Sequence, residues 1–297
     1  MPLTHVRAFR VRHHECDAYG NVRPEVYMRY AQEAAFDASA AAGYGMDRYE
    51  EIDRLWLARE TEIEYLHPLR YGDRIQVKTW VVDFRRVRSL RAYEFYHEAT
   101  GELVARASTD WVHLELSTGR PVKISPEMKA AFFPEGPPPP APPRERFPEV
   151  APPPDAFGQS RRAEWRDIDP AGHVNNTVYL AYVEECVRQA LSTCGWPQSR
   201  LEAQGLALTI GSHRIEYRQP ALLEDALKAT TWFSDVRVSS PIWHCLITRP
   251  ADDAKIAHAV TVTGWRDIAT GDLIAPPDAL AADLAAAMPN NLSAARG

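Results

Sequence analysis

The chain has 297 residues, 45% of them hydrophobic and 25% charged, with a formal net charge of -6. Such a balance belongs to a globular protein with enough apolar residues to bury a sizeable core. It argues against a nucleic-acid partner, because no basic excess exists to neutralise phosphates.

The four cysteines, Cys16, Cys186, Cys194 and Cys245, form no CxxC pair and show no metal-ligand spacing. They read as free thiols of a reducing compartment. The opening "MPLTHVRAFRV" lacks the apolar core of a secretory signal. No stretch approaches the roughly 18 apolar residues of a membrane span. The expectation is a cytoplasmic protein with no membrane partner and no metal.

In chain order, a short extended segment over 5–12 leads into an Asp-containing loop, "HHECDAYGNVRP". A helix is predicted over 24–42. Long β-prone runs follow: "EIEYLHPL", "RIQVKTWVVDF", "SLRAYEFYHE" and "LVARASTDWVHLEL", broken by glycine turns such as "EATGE" and "LSTGR". Residues 134–158 then hold eleven prolines. Proline lacks an amide donor and favours an extended, semi-rigid spacer, so this stretch is read as a linker. Beyond it the order recurs: an extended segment over 159–166, the loop "DIDPAGHVNN", and a helix predicted over 176–194. In that helix Tyr179, Tyr182, Val183, Cys186, Val187 and Ala190 recur at spacings of three and four, with Asn175 or Asn176 as cap. The strands "LALTIGSHRIEYR", "ALKATTWFSDV", "IWHCLITR" and "KIAHAVTVTGWRDI" complete it.

The two halves match at a constant shift of 152. Asp17, Gly20, Val22, Tyr27 and Tyr30 fall on Asp169, Gly172, Val174, Tyr179 and Tyr182. Further on, Tyr65, Pro68 and Asp73 fall on Tyr217, Pro220 and Asp225. One register held over so long a span marks a tandem duplication. The expected domains are 1–133 and 159–288, followed by a flexible tail at 289–297. One helix followed by a meander of strands is an α+β layer arrangement, and two copies suggest a fused pseudo-dimer.

At this point the residues resemble a known family. "DIDPAGHVNNTVYLAYVEECVR", its looser copy "HHECDAYGNVRPEVYMRYAQEA" and the downstream Tyr65, Pro68, Gly72 and Asp73 resemble the hotdog-fold acyl thioesterases. The 4-hydroxybenzoyl-CoA thioesterase-like branch is the most similar. The resemblance implies two tandem hotdog domains, each a long helix wrapped by an antiparallel sheet, paired within one chain. It implies hydrolysis of an acyl-CoA or acyl-ACP thioester to a free, fatty-type acid, without a cofactor. The tandem form is also similar to the acyl-ACP thioesterases, whose signature is Asp-x-Asn-x-His-Val-Asn-Asn. Asp169, His173, Asn175 and Asn176 fit that signature, but Ala171 stands where its first Asn would be. Those enzymes also place a Glu or Cys shortly after "EYR", where this chain has Gln219, Pro220 and Ala221. Their Asn–His–Cys/Glu chemistry therefore does not carry over, whereas the Asp version does.

In the resembling branch an Asp attacks the thioester carbonyl or activates water, and an amide at the helix start polarises the carbonyl. A helix N-terminus presents unpaired N–H groups and positive partial charge, which suits an oxyanion. Carried over, Asp169 is the catalytic carboxylate, Asn176 supplies the amide, and Gly172 lets the backbone approach the substrate. His173 orients water or thioester, or is a satisfied loop histidine; Asn175 starts the helix beside the substrate. Asp17 is the matching carboxylate of the first half, but seven residues on stands Pro24, which cannot donate. Asp17 is thus read as a relic or weak second site. The plainer reading of Asp169 is an Asx-turn residue in a polar loop. Glu185 and Arg188, three apart, read as a surface pair. Arg86 and Arg88, with Arg85 and Arg91, are candidates for the phosphates of CoA or of a carrier arm, or simply a solvated strand edge. A hotdog dehydratase and a non-catalytic acyl-thioester binder are the rival functions. The sequence leaves open whether fused pseudo-dimers associate into a homo-oligomer.

Overall fold

The computed structural model describes residues 2–136, 138, 144–235 and 240–287. The expected tail at 289–297 and several linker prolines lie outside these. The chain divides into two compact units, Met1–Arg146 and Phe147–Gly297.

Unit 1 contains β1 (Thr4–Arg10), α1 (Pro24–Ala41), α2 (Met46–Glu51), β2 (Arg54–Tyr65), β3 (Arg74–Phe84), β4 (Arg88–His97), β5 (Leu103–Glu115) and α3 (Pro126–Phe132). Its sheet runs β1-β3-β4-β5-β2, every neighbour antiparallel. Unit 2 contains β6 (Phe157–Arg162), α4 (Val178–Thr193), α5 (Gln198–Ala203), β7 (Leu206–Tyr217), β8 (Ala226–Asp235), β9 (Ile242–Arg249), β10 (Ala254–Asp267), β11 (Leu273–Ile274) and α6 (Asp278–Ala286). Its strands repeat the order as β6-β8-β9-β10-β7, with β11 added beside β10. Each unit is a hotdog: one long helix lies on an antiparallel sheet.

Strand burial alternates with the two-residue period that a sheet covered on one face demands. On β4, Ser89, Arg91, Tyr93 and Phe95 are buried while their neighbours are not. The helices bury matching faces: Tyr27, Tyr30, Ala31, Ala34 and Ala38 in α1, and Tyr179, Tyr182, Val183, Cys186 and Ala190 in α4. Register shifts between Val81 and Asp83 and between Phe233 and Asp235 fall at equivalent places in the two sheets. Such bulges bend a strand around its helix.

Several elements differ from the sequence reading, among them β6, which spans Phe157–Arg162 where 159–166 was expected. Strand β2 begins at Arg54, well before "EIEYLHPL", and stops at Tyr65. Helix α4 begins at Val178 rather than 176, because the Asn175 side chain draws Thr177, the N-cap residue, into an Asx turn ahead of the helix. Short helices α2, α3, α5 and α6 close the units at segments that carry no periodic signal. No helix among the described residues is long and apolar enough to cross a membrane.

Candidate active site

Past β6 a single 3-10 turn, Trp165–Asp167, delivers the chain to the Asp169 loop. The Asp167 carboxylate accepts the Glu164 amide at 2.8 Å and the Tyr182 hydroxyl at 2.6 Å. It thereby ties the loop to its own helix. Burial first, then this hydrogen bond, push the Tyr182 phenol well above its ordinary pKa. The loop closes by a bridge between Ile168 and Val174, with the Asp169 amide donating to the His173 carbonyl at 3.0 Å. Gly172 turns the corner at φ +80, a conformation that costs other residues strain. A Cβ there would meet no protein atom within 4 Å, so within the protein it is the turn that asks for glycine.

Both Asp169 oxygens are held. Oδ1 accepts from the Ala171 amide at 2.9 Å and Oδ2 from the Asn175 side-chain amide at 3.0 Å. A carboxylate offers about four acceptor positions, so two contacts fix its direction and leave capacity for a water. Its side chain is 18% exposed, reachable from solvent. Asn175 works in both directions, because its Oδ1 also accepts the Thr177 amide at 2.9 Å and hydroxyl at 2.8 Å. His173 Nδ1 lies 3.9 Å from Asp169, beyond hydrogen-bond distance, and 3.3 Å from the Val174 carbonyl. Its Nε2 is buried without a hydrogen-bond partner among the described residues.

Asn176 stands just ahead of the N-cap, Thr177. Its carbonyl accepts the Tyr217 hydroxyl at 3.0 Å, and no carbonyl among the described residues takes its N–H. In unit 1 the Tyr65 hydroxyl donates in the same way to the Pro24 carbonyl at 3.0 Å. Pro24 therefore occupies the place of Asn176 without an amide hydrogen. Asp17 repeats the loop, with Oδ1 accepting the Tyr19 and Asn21 amides, each at 2.9 Å. Arg23 stands where Asn175 does, and its guanidinium turns to the His14 carbonyl at 2.8 Å. Unit 1 thus lacks both the side-chain amide beside its Asp and the backbone amide at its helix start.

The arginines do not form one patch. Arg85 and Arg86 are exposed in the turn between β3 and β4, and Arg85 faces Asp83 at 3.6 Å. Arg88 is engaged with buried Asp110, at 2.7 and 3.1 Å. Arg91 points inward. On α4, Arg188 pairs with Glu184 at 2.7 Å rather than with Glu185, which accepts from Gln189. The four-residue spacing brings those side chains together on one helix face. Sequence reasoning missed the two tyrosine clamps on the helix starts; their signal was the constant-shift pair Tyr65 and Tyr217. Among the described residues no three His, Cys, Asp or Glu side chains converge as a metal site.

A family model described as "Thioesterase-like superfamily" matches residues 11–132 and again 163–284. The chain belongs to the thioesterase-like superfamily. The two matched segments are displaced by the same shift that the sequence repeat shows. A palmitoyl-acyl carrier protein thioesterase of Cuphea hookeriana is 27% identical over 75% of this chain and 53% of its own length. An oleoyl-acyl carrier protein thioesterase of Arabidopsis thaliana is 23% identical over 88% of this chain and 73% of its own. The chain thus spans about half of the first relative. The fold is shared with a 12:0-ACP thioesterase from Umbellularia californica, at TM-score 0.71 and 21% identity, covering 89% of this chain and 94% of that one. An oleoyl thioesterase structure from Lactobacillus plantarum gives 0.77 and 18%, over 89% and 95%.

Proposed function

We propose that this superfamily member hydrolyses acyl-CoA or acyl-ACP thioesters through a single working site built on Asp169. The observation that carries the reading is the difference between equivalent loops: unit 2 keeps an untaken amide at Asn176 where unit 1 has Pro24. The relatives that carry acyl-ACP thioesterase names support the substrate class.

As general base, Asp169 takes a proton from water while the oxygen attacks the thioester carbonyl carbon. The oxyanion that forms accepts a hydrogen bond from the Asn176 N–H, at the positive end of α4. Collapse breaks the carbon–sulfur bond, and the thiolate leaves with the proton from Asp169. Free acid and thiol result, and the carboxylate is restored. As nucleophile, Asp169 would instead form a mixed anhydride that water then opens. Asn175 aims the carboxylate through its side-chain amide.

The test is thiol release from a panel of acyl-CoAs and acyl-ACPs by the whole chain. Turnover of at least one class is expected. Saturable binding of the whole panel with no thiol released would replace this reading by that of a non-catalytic acyl-thioester binder. A single turnover in ¹⁸O-water separates the two routes. Label on Asp169 identifies the nucleophile route, with water opening the anhydride at the Asp169 carbonyl, because the base route never places it there.

A further inference from the structure

Arg91 lies on the inward face of β4, 5% exposed, between Val81 of β3 and Thr109 of β5. A guanidinium carries five N–H donors and a charge that cannot be shed. Here its one hydrogen bond is a long contact of 3.4 Å to the Thr79 hydroxyl, and its carbon sits 5.6 Å from the Phe132 ring. No carboxylate pairs with it among the described residues, whereas buried Asp110 and Glu15 each face an arginine. A buried charge without a counter-ion is costly and is rarely kept without a use.

The duplication supplies an internal control. At the shift of 152, Arg91 corresponds to Trp243, His113 to Trp265 and Tyr49 to Leu201. Those three residues of unit 2 belong to one buried apolar cluster with Leu284, the counterpart of Phe132. Unit 1 therefore places a cation, an imidazole and a phenol where the same fold is otherwise filled by hydrocarbon. The polar atoms there are also short of partners. His113 Nε2 is buried without a hydrogen bond, and the Tyr93 hydroxyl, two residues along the strand, makes no well-formed one.

We infer that the interior of unit 1 is a carboxylate site, in which Arg91 receives the carboxylate end of an aliphatic chain among Tyr49, Tyr93 and Phe132. Charge selects the head group, and the aromatic wall selects the chain. The ligand is a free long-chain carboxylate, and its binding does not rest on the thioesterase reading.

Calorimetric titration of the whole chain with dodecanoate and with its neutral methyl ester, in the parent, Arg91→Met and Arg91→Lys, tests the site. The parent should prefer acid to ester by about 10- to 100-fold, the value of charge-assisted hydrogen bonds. Arg91→Met should lose that preference, and Arg91→Lys, which keeps the charge but not the planar fork, should retain part of it. Equal affinity of the parent for acid and ester overturns the inference, as does an unchanged preference in a folded Arg91→Met. If Arg91→Met does not fold, the parent's own preference and Arg91→Lys decide. Carboxylate binding without any thioester turnover would overturn the proposed function and leave this site standing.

Discussion

Asn175 is the residue on which the unit 2 loop turns, since one side chain holds both Asp169 and Thr177, the N-cap residue of α4. Asn175→Ala should lower stability by roughly 1 kcal/mol, the usual value of a lost hydrogen bond, read by denaturant titration. The loss of turnover should exceed what that destabilisation explains, because Asp169 would no longer be aimed. Asn176→Pro is the sharper probe. Pro24 already occupies the equivalent place in unit 1 and is tolerated there, so the fold should accept the change. Removing an oxyanion donor costs about 10²–10³ in rate, and kcat should fall by that order while the melting temperature holds. A kcat within twofold of the parent would show that another donor serves the carbonyl. The loop was legible in sequence because its copies share Asp, Gly and Val in register. The inward turn of Arg91 was not, since charged residues dominate "RRVRSLR" and only the paired Trp243 hinted at burial.

At the scale of elements, the clamps from β2 and β7 onto the helix starts are the recurring device. Tyr217→Phe removes the hydroxyl that holds the Asn176 carbonyl, and a loss of about 1 kcal/mol is expected for that hydrogen bond. The outward face of unit 2 carries a second, pH-sensitive feature. His244 on β9 and His258 on β10 are buried, 3.3 Å apart, against Trp232, with Phe147 over His258. Burial depresses each to a pKa of about 4, and burial alone takes His213 to about 3. The unfolded chain takes up these protons near 6.5, so between there and about 4 it binds more protons than the folded one. The stability these groups lend is fully present above 6.5 and is lost as pH falls through that window. Melting temperatures measured from pH 7.5 to 4.5 should decline, and less steeply in His258→Gln. A flat profile would contradict the burial of neutral histidines. Strands β3 and β9 were readable to the residue, because alternation and flanking turns agree. The first half of β2, "RLWLARET", was not, because three charges among eight residues mask its period.

For the whole molecule, duplication followed by divergence explains more than either half alone. The repeated register by itself marks two copies of one unit, and the family match falls on both. Sequence already showed that Pro24 leaves unit 1 without the amide at its helix start, but not that Arg91 is buried inside that unit. Unit 2 kept the amide and filled the equivalent interior with Trp243 and Trp265. The central claim is that one of two similar aspartates performs the chemistry. It is tested most directly by thiol release from the best acyl thioester by the parent, Asp169→Asn, Asp17→Asn and the double variant. Asp169→Asn should abolish most of the turnover, by at least about 10²-fold, as befits a general base. Asp17→Asn should stay within a few-fold of the parent, and the double variant should match Asp169→Asn. Undiminished hydrolysis in Asp169→Asn, or a loss confined to Asp17→Asn, would contradict it.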